Sequence, residues 1–458
     1  MAGDIFDVRL STRIEALERR LRPADTDALC IDAQHGALLP GLHDHHIHLR
    51  AAAAAQQSLD CSVFRPGEGA KLQHALQQFG GQGWIRAVGY HESIAGDLDG
   101  FALDKLCAHR PVRLQHSSGK LWVLNSMALQ QLDLQAEAAE AGIERDEQGR
   151  PTGRLWRMDA WLRRRLPPAA MTDLQALSRQ LASYGVTGVT DASYSNDDAS
   201  AQEFASARQR RELLQRIVLM GGESLARGDL KIMLDEDDLP ELQELAARIT
   251  RAHSAGRGVA FHCVSHVELL MALSAMEIAA VPVPVRIEHG GVVRPEVIPR
   301  LRSCGATVVT QPGFLAQRGE RLSRQAAPQD VAYLYPYASL LAAGVPIAAS
   351  SDAPYGPLNP WQIMAAAVTR QSETGRALGR RECVPAREAL RGYLSRPDNP
   401  GGAPRTVSVG LPADLCLLDR PLGVALQNIG GVQVRHTWVD GEEVYDSSAN
   451  TSSVCSPR

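Results

Sequence analysis

Short runs rich in β-branched and apolar residues recur along most of this chain. Each is followed by a longer segment. The runs are GLHDHHIHL, RPVRLQH, GVTGVTDAS, GDLKIML, RGVAFHCV, VPVRIEHG, ATVVTQP and VPIAASSDAP. Between the later ones lie LPELQELAARITRAHSAG and HVELLMALSAM, where apolar residues return at helical spacing. Strand–helix alternation of this kind implies a parallel sheet, because parallel neighbours need a crossover long enough to hold a helix. Eight such units predict an α/β fold, a distorted (β/α)8 TIM-like barrel. A chain of 458 residues, 44% of them hydrophobic, is long enough to close such a core and carry a smaller domain beside it.

Both ends differ in character. FDVRLSTRIEAL through ALCIDAQHGALLPG reads as short strands and turns, as do RTVSVGLPADLCLLDRP and VQVRHTWVDGEEVYD, the last around an Asp440-Gly441 hairpin turn. The expected organisation follows. Residues 1–40 form one arm of a small β-sandwich, 41–398 the barrel, 399–447 the rest of the sandwich, and 448–458 a disordered tail. Within the barrel span, ERDEQGRPTGRLWRM reads as a hairpin excursion.

Composition narrows the partners. A net charge of −4 with mixed signs gives no electrostatic footing for nucleic acid, and the run WLRRRLPP reads as a solvated helix face. The opening MAGDIFDVRLSTRIEAL lacks the apolar core of a secretory signal, and AAAAA after Arg50 is too short to span a membrane. Eight cysteines without CxxC spacing fit free thiols in a reducing compartment. The expectation is a soluble cytoplasmic protein acting on a small molecule, with self-association left open.

Polar residues stand out against the apolar runs. LLPGLHDHHIHLR places His43, His45, His46 and His48 within six residues. Strand alternation puts His46 and His48 on one face with Asp44, and His43 and His45 on the other. Two imidazoles two residues apart at a strand's C-terminal end can share a metal ion, and barrel active sites lie at that end. Further on, His262 and His289 end or nearly end their runs, Asp352 follows five small or apolar residues, and Lys231 interrupts LKIML. Any one of these taken alone reads as a satisfied core residue. Five strands offering a ligand type in order point to one site. Lys231 is one of only four lysines among 48 basic residues. A buried lysine can lose its proton and react, whereas arginine stays charged.

The ordered set HIH, Lys231, His262, His289 and Asp352 resembles the amidohydrolase superfamily. ALLPGLHDHHIHL, RIEHGG, SSDAPYGPLNPW and GLPADLCLLDRP resemble its YtcJ-like branch, amidohydrolase family 3, over nearly the whole chain. The resemblance implies a metal-dependent hydrolase with two divalent ions, expected to be Zn2+. His46, His48 and Asp352 would hold the more buried ion and His262 and His289 the second. Lys231, carboxylated by CO2, would bridge them. A hydroxide held between two cations is a nucleophile at neutral pH. It would attack the carbonyl of an N-acyl, N-formyl or cyclic amide, with Asp352 carrying the proton to the leaving nitrogen. His43 and His45 are then structural, and His266, four residues after His262, is a bystander.

This chain also departs from the branch. Lys120 in SSGKLWVLNS stands where relatives carry the histidine of a DGH motif. Lys120 and His116 are candidates for recognising a substrate carbonyl or carboxylate, with Tyr90, His91 and Trp156 as further pocket candidates. Deaminases of the superfamily place a glutamate shortly after the fifth-strand histidine, where HCVSH has Ser265 and His266. Deamination of an N-heterocycle is therefore the weaker alternative. A lactone or phosphotriester hydrolase would use the same metals, and an intact ligand set disfavours a non-catalytic binding protein.

Overall fold

The computed structural model of the protein describes residues 5–21, 29–81, 83–134, 141–166, 173–282 and 284–448. The expected tail over 448–458 lies, apart from Ser448, outside the described residues. The chain divides into two compact units, Met1–Leu49 with Leu174–Arg458, and Arg50–Asp173.

In the first unit eight parallel strands follow one another in chain order: β1 (Leu42–Ile47), β2 (Val186–Asp191), β3 (Arg216–Leu219), β4 (Leu230–Met233), β5 (Val259–Cys263), β6 (Val285–His289), β7 (Thr307–Thr310) and β8 (Ile347–Ala349). Their ladders form a three-stranded sheet, β3-β2-β1, and a five-stranded sheet, β4-β5-β6-β7-β8. An isolated parallel bridge joins Gly221 to Leu230, linking the segments after β3 and at β4. At the other seam, Asp352 N–H donates to the His46 carbonyl at 2.8 Å and His48 N–H to that of Ala353 at 3.0 Å. Apart from β3, whose residues are exposed or half-buried, the strands are buried almost throughout, as expected of parallel strands covered on both faces.

The crossover helices form where apolar spacing predicts them. Leu242–Ser254 turns Leu245, Ala246, Ile249 and Ala252 inward. His266–Ala279 begins at a capping box, in which the Ser265 hydroxyl accepts from Glu268 N–H while the Glu268 carboxylate accepts from Ser265 N–H.

One strand assignment needs correcting. RPVRLQH does form a strand, Val112–His116, but it belongs to the second unit. The parallel strand missing from the sequence-based set is β3, the four-residue RIVL. Both runs have strand composition, and local pattern does not say which sheet a strand joins.

The second unit holds one six-stranded sheet. Its order is Leu59–Asp60, Ile85–Tyr90, Val112–His116, Leu121–Leu124, Pro151–Trp156, Ile143–Arg145. The first three strands are parallel and the rest antiparallel. The last pair is the hairpin expected in ERDEQGRPTGRLWRM.

The terminal segments of the first unit are antiparallel. Asp7–Leu10 pairs with Ile14–Glu18. Leu38–Pro40 joins Leu415–Leu418, Val434–Val439 and Glu442–Asp446 in a four-stranded sheet. Ile14, Ala413, Leu415, Leu417 and Trp438 pack together beneath these strands. The Asp440-Gly441 turn has positive φ at both residues (54° and 78°), and a Cβ on Gly441 would collide with the Ser11 carbonyl. Among the described residues, no helix is long and apolar enough to cross a membrane.

Candidate metal centre

The four clustered histidines separate by what each ring reaches. His43 Nε2 lies 2.9 Å from Thr190 Oγ1 on β2, and His45 Nε2 lies 3.0 Å from Ser395 Oγ. Burial, followed by neighbouring positive charge, holds both rings far below the ordinary histidine range, so they stay neutral. Gly188 makes room for one of them, since a Cβ there would approach His43 Nδ1 to 2.5 Å.

His46 and His48 face Asp352 instead. His46 Nε2 is 3.5 Å and His48 Nε2 3.2 Å from Asp352 Oδ1. The seam between β1 and β8 creates this approach. Besides the two backbone bonds already described, Asp44 Oδ1 accepts from Ser351 N–H at 3.0 Å and from His46 N–H at 3.3 Å. Ligand-type atoms of His46, His289 and Asp352 all lie within 4.8 Å of one another. The His262 ring stands 4.5 Å from that of His289, centroid to centroid. Lys231 is fully enclosed nearby, and Asp352 and Glu288 both act on its charge.

Three of the rings are held through Nδ1, and in His289 that nitrogen also stands 3.7 Å from Asp352 Oδ2. His46 Nδ1 meets Glu288 Oε2 at 2.5 Å, His48 Nδ1 meets Ser193 Oγ at 2.9 Å, and His289 Nδ1 meets Gln311 Oε1 at 3.0 Å. An oxygen partner on one ring nitrogen fixes orientation and leaves the lone pair of the other free for a metal. His289 (φ 72°) and Asp352 (φ 51°) both adopt left-handed backbone. For residues other than glycine this costs roughly 1–3 kcal/mol and concentrates at functional sites.

Electrostatics favour ligand forms. Burial lowers His46 to about 4, with the Lys231 charge adding to it. Burial likewise takes His289 to about 3 and His262 to about 2. Burial works against the charged form of His48, yet the Asp352 carboxylate beside it lifts it above the ordinary value. Burial alone would raise Asp352, but His46, His48 and His289 outweigh it and keep the group a carboxylate. Lys231 is depressed by burial against the pull of Glu288. His46 Nε2 and Lys231 Nζ are buried without a hydrogen-bond partner among the described residues. Orphaned buried polar atoms are unfavourable in a folded protein. Divalent cations bound by these neutral imidazoles and the carboxylate would relieve that cost, so the residue set fits a metal centre.

Glu288 was not singled out from the sequence. It lies on β6 with Arg286, whose Nε donates to it at 2.8 Å. The signal was available: Arg286 and Glu288 alternate with Val285 and Ile287 in a buried strand, as a paired charge does. The other candidates lie in the second unit, each with a local partner or position. Tyr90 donates its hydroxyl to the Gly96 carbonyl at 2.6 Å. His91 caps the short helix Glu92–Ala95. His116 Nε2 meets Glu92 at 2.9 Å. Lys120 is exposed just before Leu121–Leu124, and Trp156 Nε1 donates to Glu144 at 3.1 Å. Back in the first unit, His266 starts the helix after β5, and Glu268 is engaged in its cap.

Parallel α/β strands whose ends gather histidines around an aspartate define a metal-hydrolase type of site, and the chain's sequence relationships agree. A profile of the Amidohydrolase family matches residues 30–445. The chain belongs to that family and is a hydrolase acting on carbon–nitrogen bonds. N-substituted formamide deformylase of Arthrobacter pascens is 27% identical to it, across 93% of this chain and 92% of that protein. The putative amidohydrolase YtcJ of Bacillus subtilis (strain 168) is 22% identical, across 95% and 93%. In fold, the chain is similar to an uncharacterized metal-dependent hydrolase from Pyrococcus horikoshii OT3. The TM-score is 0.70 at 20% identity, covering 88% of this chain and 89% of that one.

Proposed function

We propose that this chain is a metal-dependent amidohydrolase that cleaves a small N-formyl, N-acyl or cyclic amide, with Asp352 as the proton carrier. The observation that carries the reading is the convergence of His46, His289 and Asp352, with oxygen partners on the Nδ1 atoms of His46, His48 and His289. The formamide deformylase among its relatives supports an amide substrate. In this reading His46, His48 and Asp352 hold one ion, His262 and His289 a second, and Lys231, carboxylated, lies between them. Zinc suits an all-imidazole and carboxylate set. The eight strands form one distorted barrel, with the Gly221–Leu230 bridge and the β1–β8 bonds at its seams. The proposed organisation is a barrel over 41–398 and a sandwich from 1–40 and 399–447, in a cytoplasmic protein.

When bound, the ions supply a water nucleophile at neutral pH and polarise the scissile carbonyl. The remaining work falls to the chain. Asp352 is already ionised, so it accepts the proton of the attacking water and returns it to the leaving nitrogen as the carbon–nitrogen bond breaks. The products are an acid and an amine. Glu288, Ser193 and Gln311 keep the rings from rotating. A deaminase would want an acid after His262, and Glu268 is tied into a helix cap there.

The test pairs elemental analysis with a panel of formamide, acetamide, lactam and lactone substrates. Two ions per chain and amide cleavage are expected. One ion with full activity rejects the binuclear centre, and lactone cleavage without amide cleavage rejects the amidase.

A further inference from the structure

Beyond the ligand set, the first unit holds a cation without an anion among the described residues. The helix Gly313–Gln325 follows β7, and its path breaks at Arg318, whose backbone (φ −145°, ψ 25°) is not helical. The guanidinium carbon stands 3.8 Å from the centroid of the Phe314 ring. Phe314 packs edge-on against Tyr335 at 5.6 Å, and a Cβ on Gly356 would run into its ring. Phe314 therefore touches the loop that follows Asp352. Gln311, just before the same helix, holds His289. Arg318 thus sits on a segment anchored to His289 and to the loop that follows Asp352.

The side chain is half-buried, and one of its polar atoms is left unsatisfied. Nε is buried with no hydrogen-bond partner, and among the described residues Arg318 makes no ion pair. Burial lowers its pKa, and the Asp352 charge opposes that shift, which places Arg318 within the field of the aspartate. Asp352 is already surrounded by His46, His48 and His289. Arginine does not relieve its desolvation by losing a proton. A guanidinium with one nitrogen kept from water and no carboxylate paired with it gains when something that binds there supplies the anion. The Phe314 face steadies the cation and leaves the planar edge of the fork for a planar acceptor, the geometry that a carboxylate matches with two parallel bonds.

We propose that Arg318 receives a carboxylate of the substrate, so that the enzyme prefers amides carrying that group, such as N-formyl or N-acyl amino acids, over neutral amides. This rests on the amidohydrolase reading above and adds the substrate class.

The test compares N-formylphenylalanine with N-formylphenethylamine, which lacks only the carboxylate, on the metal-loaded full chain. The wild type is expected to prefer the acid by roughly 10- to 100-fold in kcat/KM, the usual size of a charge-assisted contact. Arg318→Met should erase the preference, chiefly through KM, with metal content and circular dichroism unchanged. Arg318→Lys keeps the charge without the fork and should retain only part of it. It decides the matter if the Met variant does not fold. No preference in the wild type overturns the proposal, as does a preference that survives either folded variant intact. If neither formamide is cleaved, the amide reading fails for these substrates and calorimetric titration decides the role of Arg318. Binding of the acid alone, lost in Arg318→Met, supports it. Equal binding of both compounds, or none, overturns it.

Discussion

His43 and His46 stand three residues apart on one strand, yet one ring meets a threonine and the other a carboxylate pair. Strand alternation separates the four histidines into two pairs, and the rings' partners then set the chemistry. Asp352→Asn keeps the shape and removes the proton carrier. Turnover should fall by about 10²–10⁴ with the fold intact by circular dichroism, and a variant within a few-fold of wild type contradicts the role. Glu288→Gln leaves an acceptor for His46 but removes the charge that also balances Arg286. Metal affinity should drop by roughly 10- to 100-fold, read by competition with a chelator. Lys231→Arg keeps a cation that cannot be carboxylated, so it should hold fewer ions than wild type. Lys231→Ala opens a space in which added acetate restores part of the metal binding. An Arg variant with two ions and full activity removes the bridging lysine from the scheme.

At the scale of elements, the site depends on two strands that are far apart in sequence. β1 and the residues just after β8 meet through three backbone and carboxylate bonds at the strands' C-terminal ends. These bonds, more than any helix, bring Asp352 to His46. Packing between β1 and β2 is equally tight. Gly188→Ala would drive a methyl group into the buried His43 ring, and overpacking of this kind costs about 1–3 kcal/mol. Urea unfolding should show a loss of that order, and an unchanged midpoint would mean the ring has room to move. The helix spacing in LPELQELAARITRAHSAG was legible because it is local. RPVRLQH was legible as a strand but not as a member of the second unit's sheet, since sheet membership is a long-range contact.

For the whole molecule, the buried histidines make stability depend on pH. In the metal-free chain His46, His289 and His262 sit at about 4, 3 and 2, against about 6.5 when unfolded. The unfolded state therefore binds more protons between these values, and stability rises with pH across that interval. Acidification below about 6.5 should lower the Tm of chelator-treated protein, with the loss continuing down through about 4 as His46 takes its proton. A Tm that rises between pH 7 and 5 would contradict the neutral, buried state of these rings.

The sequence by itself determined the α/β class, the hairpin turn at Asp440-Gly441, the helical crossovers and the histidines that alternate along β1. All of these follow from periodicity and backbone chemistry within a few residues. It took the folded chain to show that Glu288 and Gln311 hold the rings of His46 and His289, that Val112–His116 belongs to another unit, and that Arg318 has no paired anion among the described residues. These facts depend on which residues meet across tens or hundreds of positions, and no local pattern records such encounters. The same limit explains the weak signal for β3: four residues suffice for a strand once β2 lies alongside to pair with it.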